Sequence, residues 1–314
     1  MQPADLAPRA FSTVRLPPSR RVELWETHNE TALIGLAVQA TEPLVATELN
    51  VRLPNVDLAW VSGSAHVVRR TRRVIERNPA DAIAVYLTLR GDAWFDSVDR
   101  TYSLHPGNIL VSDADHPFSR GFSRGLEELV VKVNRAALPE VSRLSRPVIG
   151  SFHGSRTNDR YARALARITR RATRTDRPLP ADERTVLDLI AVLTAGGATA
   201  PSTAHRAAAR SYIDEHLTDP SLGAEQVAQA IGISDRQLSR VFAANGVSIP
   251  RHILSRRLDL AYSMLFSVAT AEKPETVADI ASRCGFTSVT YFCHVFRQRF
   301  GHRASDIRDR RAVR

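Results

Sequence analysis

At 314 residues the chain is long enough for two compact domains and a connector, since domains most often hold about 100–150 residues. Its 43 basic residues exceed the 33 acidic ones by 10, nearly all of them arginine because Lys132 and Lys273 are the lysines, and an excess of that size favours a polyanionic partner without identifying one. There is no apolar run of about 18 residues, and the start MQPADLAPRAFSTVRLPPSRR has no apolar segment ahead of a cleavable site, so neither a membrane span nor a secretory leader is expected and the chain reads as cytoplasmic.

From about Leu33 to Asn134 the chain reads as short extended runs broken by turn residues, among them IGLAVQA, VATELNVRL, AIAVYLTLRG and ELVVKV. β-branched residues are frequent there and helical periodicity is weak, which predicts a mostly antiparallel sheet, sandwich or barrel. Pro106-Gly107 sits between a mixed strand and the apolar Ile109, Leu110 and Val111, the setting of a tight turn. Past Asn134, read as an N-cap, the pattern turns helical over Arg135–Leu144, Asp159–Arg174 and Ala181–Ala195. The small, breaker-rich stretch from Gly196 to Ser202 is the best linker, dividing residues 1–200 from residues 201–314.

The C-terminal third contains one construction twice. Ala228 to Gly232 followed by Phe242 matches Ala281 to Gly285 followed by Phe296, with the glycines 53 positions apart. In a helix-turn-helix the small residue lets the second helix cross closely, and glycine turns the chain where a side chain would strain it. In the first unit Val227 and Ile231 form the inner stripe, Gly232-Ile233 turns and Ser234 caps. Leu238, Val241 and Phe242 then face inward, leaving Arg236, Ser239 and Arg240 outward. In the second, Val277, Ile280 and Ala281 pack, Gly285-Phe286 turns and Ser288 caps. Phe292, Val295 and Phe296 are inward, Gly301 stops the helix, and Val289, Thr290, Cys293 and His294 face outward. Ser248 and Pro250 open a further helix whose Ile253, Leu254, Leu258, Ala261 and Leu265 repeat at helical steps to about Phe266, a strut between the units. A helical bundle that never touches DNA would share parts of this pattern. The order of turn, cap, aromatic core and basic end (Arg297, Arg299, Arg303) in DIASRCGFTSVTYFCHVFRQRFG argues against it. This third is also the more basic, with 16 basic against 11 acidic residues over 206–314.

On these residues the chain resembles the AraC/XylS family of transcription regulators. Ile280-Ala281, Gly285-Phe286, Tyr291-Phe292, Phe296 and Gly301 follow the family signature, and QVAQAIGISDRQLSRVF with RRLDLAYSML follows its first unit and strut, so the likeness covers about 206–308. The resemblance implies promoter binding beside RNA polymerase, usually activation, with base contacts from Arg236, Ser239 and Arg240 and from Val289, Thr290, Cys293 and His294. Arg236 and Arg240 are the strongest candidates, since a guanidinium bridges guanine O6 and N7. Cys293 and His294 stand where the family often has a polar residue and an arginine, so reading by the second unit is expected to lean on phosphate contacts from Arg297 and Arg299 and on DNA shape.

The resemblance further implies a cupin-like N-terminal sheet that senses a small-molecule effector or dimerises, the overall class being α+β, with an all-α double helix-turn-helix domain after it. Control by a protein partner, or no effector at all, remains open. Leu165, Ile168, Leu187, Ile190 and Leu193 fit either a homodimer contact or the chain's own core. Trp25, Trp60, Trp94 and Tyr86 likewise fit either an aromatic pocket or ordinary core. An enzyme is not expected. Histidines 66, 105 and 116 are scattered without a His-x-His pair, Cys284 and Cys293 lack CxxC spacing, and neither GxSxG nor GxxxxGK[ST] occurs, so no metal, cofactor or catalytic residue is assigned.

Overall fold

A computed structural model describes residues 8–138, 144–154, 158–175, 179–195, 200–244, 246–267 and 275–309. They fall into two compact units, one of Ala7–Thr173 with Ala181–Thr199, the other of Arg174–Pro180 with Ala200–Arg314.

The first unit runs β1 (Arg9–Ser12), α1 (Arg21–Ala32), β2 (Ala37–Gln39), β3 (Ala46–Arg52), β4 (Val56–Gly63), β5 (His66–Arg70) and α2 (Arg72–Arg77). It continues with β6 (Ala82–Arg90), β7 (Ala93–Ser97), β8 (Thr101–Leu104), β9 (Asn108–Asp113), β10 (Phe118–Phe122), β11 (Leu126–Asn134), β12 (Val148–Ser151), α3 (Asp159–Ala172) and α4 (Glu183–Thr194). Two antiparallel sheets result, of seven strands in the order β1-β3-β4-β11-β6-β9-β12 and five in the order β2-β5-β10-β7-β8. Ala59, Val61, Ala84, Tyr86 and Val130 from the larger sheet meet Val68, Phe95, Phe118 and Phe122 from the smaller in one core, giving the expected cupin-like sandwich. The opposite face of the larger sheet is covered too, α3 packing on β4, β11 and β12. That explains why AIAVYLTLR reads as an unbroken apolar run: both faces of β6 are interior.

The sheet begins earlier than expected, with β1 pairing β3 from Arg9↔Asn50 to Ser12↔Thr47, and α1 intervenes before β2. Helical periodicity is weak in α1 because it buries only Trp25 and Asn29. The Pro106-Gly107 turn is present, with Gly107 at φ +93 and Asn108 N–H donating to His105 C=O at 2.9 Å, but it carries the chain from β8 in one sheet to β9 in the other. Buried Arg70 ties the sandwich edge together through the carbonyls of Gly35 (2.7 Å) and Asn78 (2.9 Å) and the carboxylate of Asp115 (2.8 Å), which also accepts from Ala80 and Asp81 N–H.

Of the expected helix Arg135–Leu144, Arg135–Ala137 form a 3-10 turn, and residues 139–143 lie outside the described ones. Asn134 precedes it without a side-chain cap bond, because β11 runs straight into the turn. The later two helices stand within two residues of expectation, α4 being capped by Asp182, whose carboxylate accepts from Thr185 N–H at 3.2 Å. Leu165, Ile168, Ile190 and Leu193 are buried within the folded chain and Leu187 half-buried, so this stripe is core. Of the expected linker, residues 196–199 lie outside the described ones, and Pro201 and Ser202 belong to the next helix, where proline at the first position forfeits no hydrogen bond.

The second unit is helical: α5 (Pro201–Glu215), α6 (Ala224–Ile231), α7 (Asp235–Ala243), α8 (Ile249–Ser267), α9 (Val277–Arg283), α10 (Val289–Phe300) and α11 (Ala304–Asp309). Two cores flank α8. One gathers Ile213, Val227, Leu238, Phe242 and Ile253, the other Leu258, Leu265, Ile280, Phe292 and Phe296. No helix among the described residues is long and apolar enough to cross a membrane.

Candidate nucleic-acid interface

Two helix-turn-helix units are built from the repeated sequence by the same hydrogen bonds. After α6, Gly232 takes φ +74 and Ile233 N–H reaches back to Ala228 C=O at 3.1 Å; after α9, Gly285 takes φ +81 and Phe286 N–H reaches Ala281 C=O at 3.0 Å. Ser234 Oγ then accepts from Gln237 N–H at 3.2 Å to open α7, and Ser288 Oγ from Tyr291 N–H at 3.3 Å to open α10. A capping box between Thr276 and Asp279 opens α9, and Gly301 at φ +73 closes α10 with its N–H on Arg297 C=O at 2.9 Å.

The buried side of α7 is Leu238, Val241 and Phe242, so Arg236, Ser239 and Arg240, at helical spacings of three and four, share its exposed side. Beneath α10 the rings of Phe286, Phe292, Phe296 and Phe300 follow one another at centroid distances of 4.9, 5.3 and 4.7 Å, which fixes the helix by packing. Its exposed side holds Val289, Thr290, Tyr291, Cys293, His294 and Arg297. Val289, Cys293, His294 and Arg297 converge on a groove of about 920 Å³ that Thr276 and Ser305 border from neighbouring elements. Thr290 and Arg299 stand outside it. Arg299 turns instead to α8, donating to Ser255 C=O at 3.1 Å and to the Asp259 carboxylate at 2.5 Å. Cys284 packs beside Met264 in the core, and burial pushes its thiol pKa up to about 12.

The 19 residues of α8 make a strut about 28 Å long, close to the roughly 34 Å between successive major-groove faces. Charged residues join it to both units. Arg256, 3 % exposed, grips Asp214 of α5 at 2.7 and 3.2 Å and lies 3.6 Å from Asp259, which holds Arg299 of α10. Arg257 donates to the carbonyls of Leu217 (3.0 Å) and Asp219 (2.5 Å), and its guanidinium lies so close to Gly285 that a Cβ there would stand 2.9–3.1 Å away. Burial lowers the pKa of Arg257 while Asp219 opposes the shift.

This geometry has known counterparts. The profile of an AraC-binding-like domain matches residues 34–222, more than half of the chain, and that of a helix-turn-helix domain matches residues 227–310. The chain belongs to the AraC/XylS family. Among its relatives, the transcriptional activator RhrA of Rhizobium meliloti (strain 1021) is 32% identical over 125 residues, 38% of this chain and 39% of that protein. The match therefore spans about two fifths of RhrA. The transcriptional activator NphR of a Rhodococcus species is 24% identical over 264 residues, 79% of this chain and 76% of that protein. The solved structure of the AraC-like transcriptional activator CuxR aligns with a TM-score of 0.48 at 19% identity, covering 82% of this chain and 95% of that one.

Set in an AraC-type protein, the clamp residues Asp214, Arg256, Arg257 and Asp259 are the ones sequence reasoning passed over. Their signal was available: two arginines and an aspartate stand amid the inward positions Ile253, Leu254, Leu258 and Ala261 of a helix assigned one apolar stripe. Tyr291, half exposed beside the cap of α10, was passed over as well, because the signature groups it with buried Phe292. In the other half of this AraC-type chain, Trp25 and Tyr86 line a cavity, Trp60 donates to Glu127 at 3.0 Å, and Trp94 is partly exposed. His66 is buried, while His105 and His116 are exposed. Among the described residues no group of three His, Cys, Asp or Glu is placed to hold a metal.

Proposed function

We propose that this chain is a sequence-specific transcription activator acting in the cytoplasm, without catalytic activity of its own, that places α7 and α10 in successive major grooves of promoter DNA beside RNA polymerase. Arg236 and Arg240 read guanine through O6 and N7, with Ser239 between them. Val289, Thr290, Cys293 and His294 face the second half-site, with Arg297 on the phosphates. Cys293 and His294 offer no bidentate fork, so the second half-site is read more weakly and partly through shape. The observation that carries this reading is the pair of matching turns, Ala228 to Ile233 and Ala281 to Phe286, each followed by a serine-capped helix with a polar exposed face.

Residues 1–200 serve as the regulatory domain and residues 201–314 as the DNA-binding domain. A small molecule is the signal, favoured over a protein partner by the cavity within the sandwich. Homodimerisation uses a surface other than Leu165, Ile168, Ile190 and Leu193, which are buried within one chain. The test is selection from random duplex DNA by the full-length protein, followed by affinity measurements at two salt concentrations. The expected result is an enriched site with two blocks about one helical turn apart. A steep salt dependence with no enriched sequence would defeat the proposal in favour of non-specific phosphate binding.

A further inference from the structure

Among the described residues of the DNA-binding unit, the large apolar or aromatic side chains left exposed are Val289 and Tyr291, with 42% and 52% of their surface open to solvent. Both stand in the first turn of α10, just past the Ser288 cap, the part of a recognition helix that meets base edges. A single exposed apolar residue needs no explanation on an ordinary surface. At this position it does. Val289 belongs to neither of the two cores that flank α8, and a β-branched side chain adds nothing to helix propensity, so the fold does not account for it.

At about 100° per residue, Val289, Thr290 and Cys293 fall within about 100° of one another on the exposed side of α10, away from buried Phe292, Val295 and Phe296. They end in two methyls, in a methyl with a hydroxyl, and in a thiol. None carries the forked donors or paired amide that read guanine or adenine through two hydrogen bonds. The Thr290 hydroxyl and the ring of exposed His294 can each make single hydrogen bonds, which more than one base satisfies. What the three share is apolar contact, and the major groove displays one apolar group, the C5 methyl of thymine. Val289 and Cys293 line the same groove as Arg297, so a charge able to hold a phosphate stands one turn further along.

We infer that α10 selects thymine through its methyl group: Val289, flanked by the Thr290 methyl and Cys293 Sγ, receives the C5 methyl of a thymine at a fixed position in the second half-site. The inference rests on the double-reader assignment above and names the base that its second helix selects. Cytosine at that place presents an amino group and no methyl, and a purine presents N7 with O6 or N6. Each would set a polar edge, stripped of water, against Val289.

The test uses the full-length protein and the duplex it selects from random DNA. The block read by α10 is the one whose base preference survives Arg236→Ala and Arg240→Ala, and a thymine is expected at a fixed position within it. Replacing that thymine by deoxyuridine removes the methyl and keeps every hydrogen-bonding group. Binding should weaken about fourfold, the equivalent of about 0.8 kcal/mol for one buried carbon. Deoxyuridine at thymines outside the block should change it by less than about twofold. In Val289→Ala, whose exposed site should leave the unfolding midpoint in place, the two duplexes should bind within about twofold of each other, because the methyl has lost its partner. The inference is overturned, with the double-reader assignment left standing, if the second block holds no fixed thymine, if deoxyuridine binds as tightly as thymine, or if the deoxyuridine penalty persists undiminished in Val289→Ala. No enriched site at all overturns the assignment and this inference with it.

Discussion

Replacing Asp214 by leucine takes from the buried Arg256 guanidinium, in the interior of the DNA-binding unit, the carboxylate that grips it at 2.7 Å, and leaves Asp259 3.6 Å away. Arginine cannot shed its proton to escape, and breaking a buried pair from one side typically costs about 3–5 kcal/mol. Because Asp259 still offsets part of the charge, we expect the lower end, about 3 kcal/mol. With a urea m-value of about 1.5 kcal/mol/M for a unit of this size, the midpoint should fall by about 2 M. The two units can be followed apart in the intact chain. Trp25, Trp60 and Trp94 all belong to the sandwich, so tryptophan fluorescence follows that unit, while ellipticity at 222 nm is dominated by the helical one. The ellipticity transition of Asp214→Leu should move to lower urea and the fluorescence transition should stay. Adding Arg256→Met removes the stranded charge and should restore most of the loss, since apolar replacement of a whole buried pair is often neutral or better. A single-variant shift below about 0.3 M, or a double variant no more stable than the single, would refute the reasoning.

Alanine at Arg236 or Arg240 should weaken binding to the selected site by about 1–3 kcal/mol each and relax base preference at one position, with the unfolding midpoint unchanged, as titration against single-base variants of the site would show. Gly285→Ala should destabilise the DNA-binding unit more than Gly232→Ala: both force an L residue into positive φ, at about 1–2 kcal/mol, but only at Gly285 does the new Cβ meet a packed group, Arg257. Equal urea midpoints for the two would contradict this. Burial works to raise the Asp115 pKa, but hydrogen bonds from Ala80, Arg70 and Asp81 outweigh it and hold it below the ordinary aspartate value of 3.8. The stability it contributes is therefore present above pH 3.8 and lost as pH falls through the depressed native value. Asp115→Asn should flatten the acid limb of the sandwich's stability, read by tryptophan fluorescence, and an unaltered limb would remove Asp115 from the account.

The helix-turn-helix units were legible nearly to the residue, because their determinants are local. Glycine at a positive-φ turn, serine two or three residues beyond and an aromatic on the next helix each satisfy a backbone or packing need within about a dozen residues. The sandwich was legible in kind but not in extent. β1 gains its place only by pairing with β3, some 35 positions along the chain, and four residues of RAFS carry no alternation that would announce it. The Pro106-Gly107 turn was readable as a turn, but its destination in the other sheet depends on strand order, which no local pattern encodes.

The strut shows where reading a helix from its apolar stripe breaks down. A stripe presumes one buried side and one wet side, but α8 lies between two cores, and the positions left to solvent in that scheme, Arg256 and Arg257, are buried and half-buried. Their charges must then be answered from within, by Asp214, Asp259 and the carbonyls of Leu217 and Asp219, and Asp259 in turn captures Arg299. The consequence reaches the DNA. Arg299 was expected on a phosphate from its place in a basic helix end, but Asp259 already answers its charge, and a phosphate would have to compete with that carboxylate for it. Arg297, by contrast, is exposed on the groove and has no ion-pair partner among the described residues. Each phosphate neutralised adds about −0.9 to the slope of log affinity against log salt, so Arg297→Ala should lower the slope by about one such step and Arg299→Ala by much less, while destabilising the contact between α10 and α8. Equal slopes for the two variants would mean that Asp259 releases Arg299 when DNA arrives.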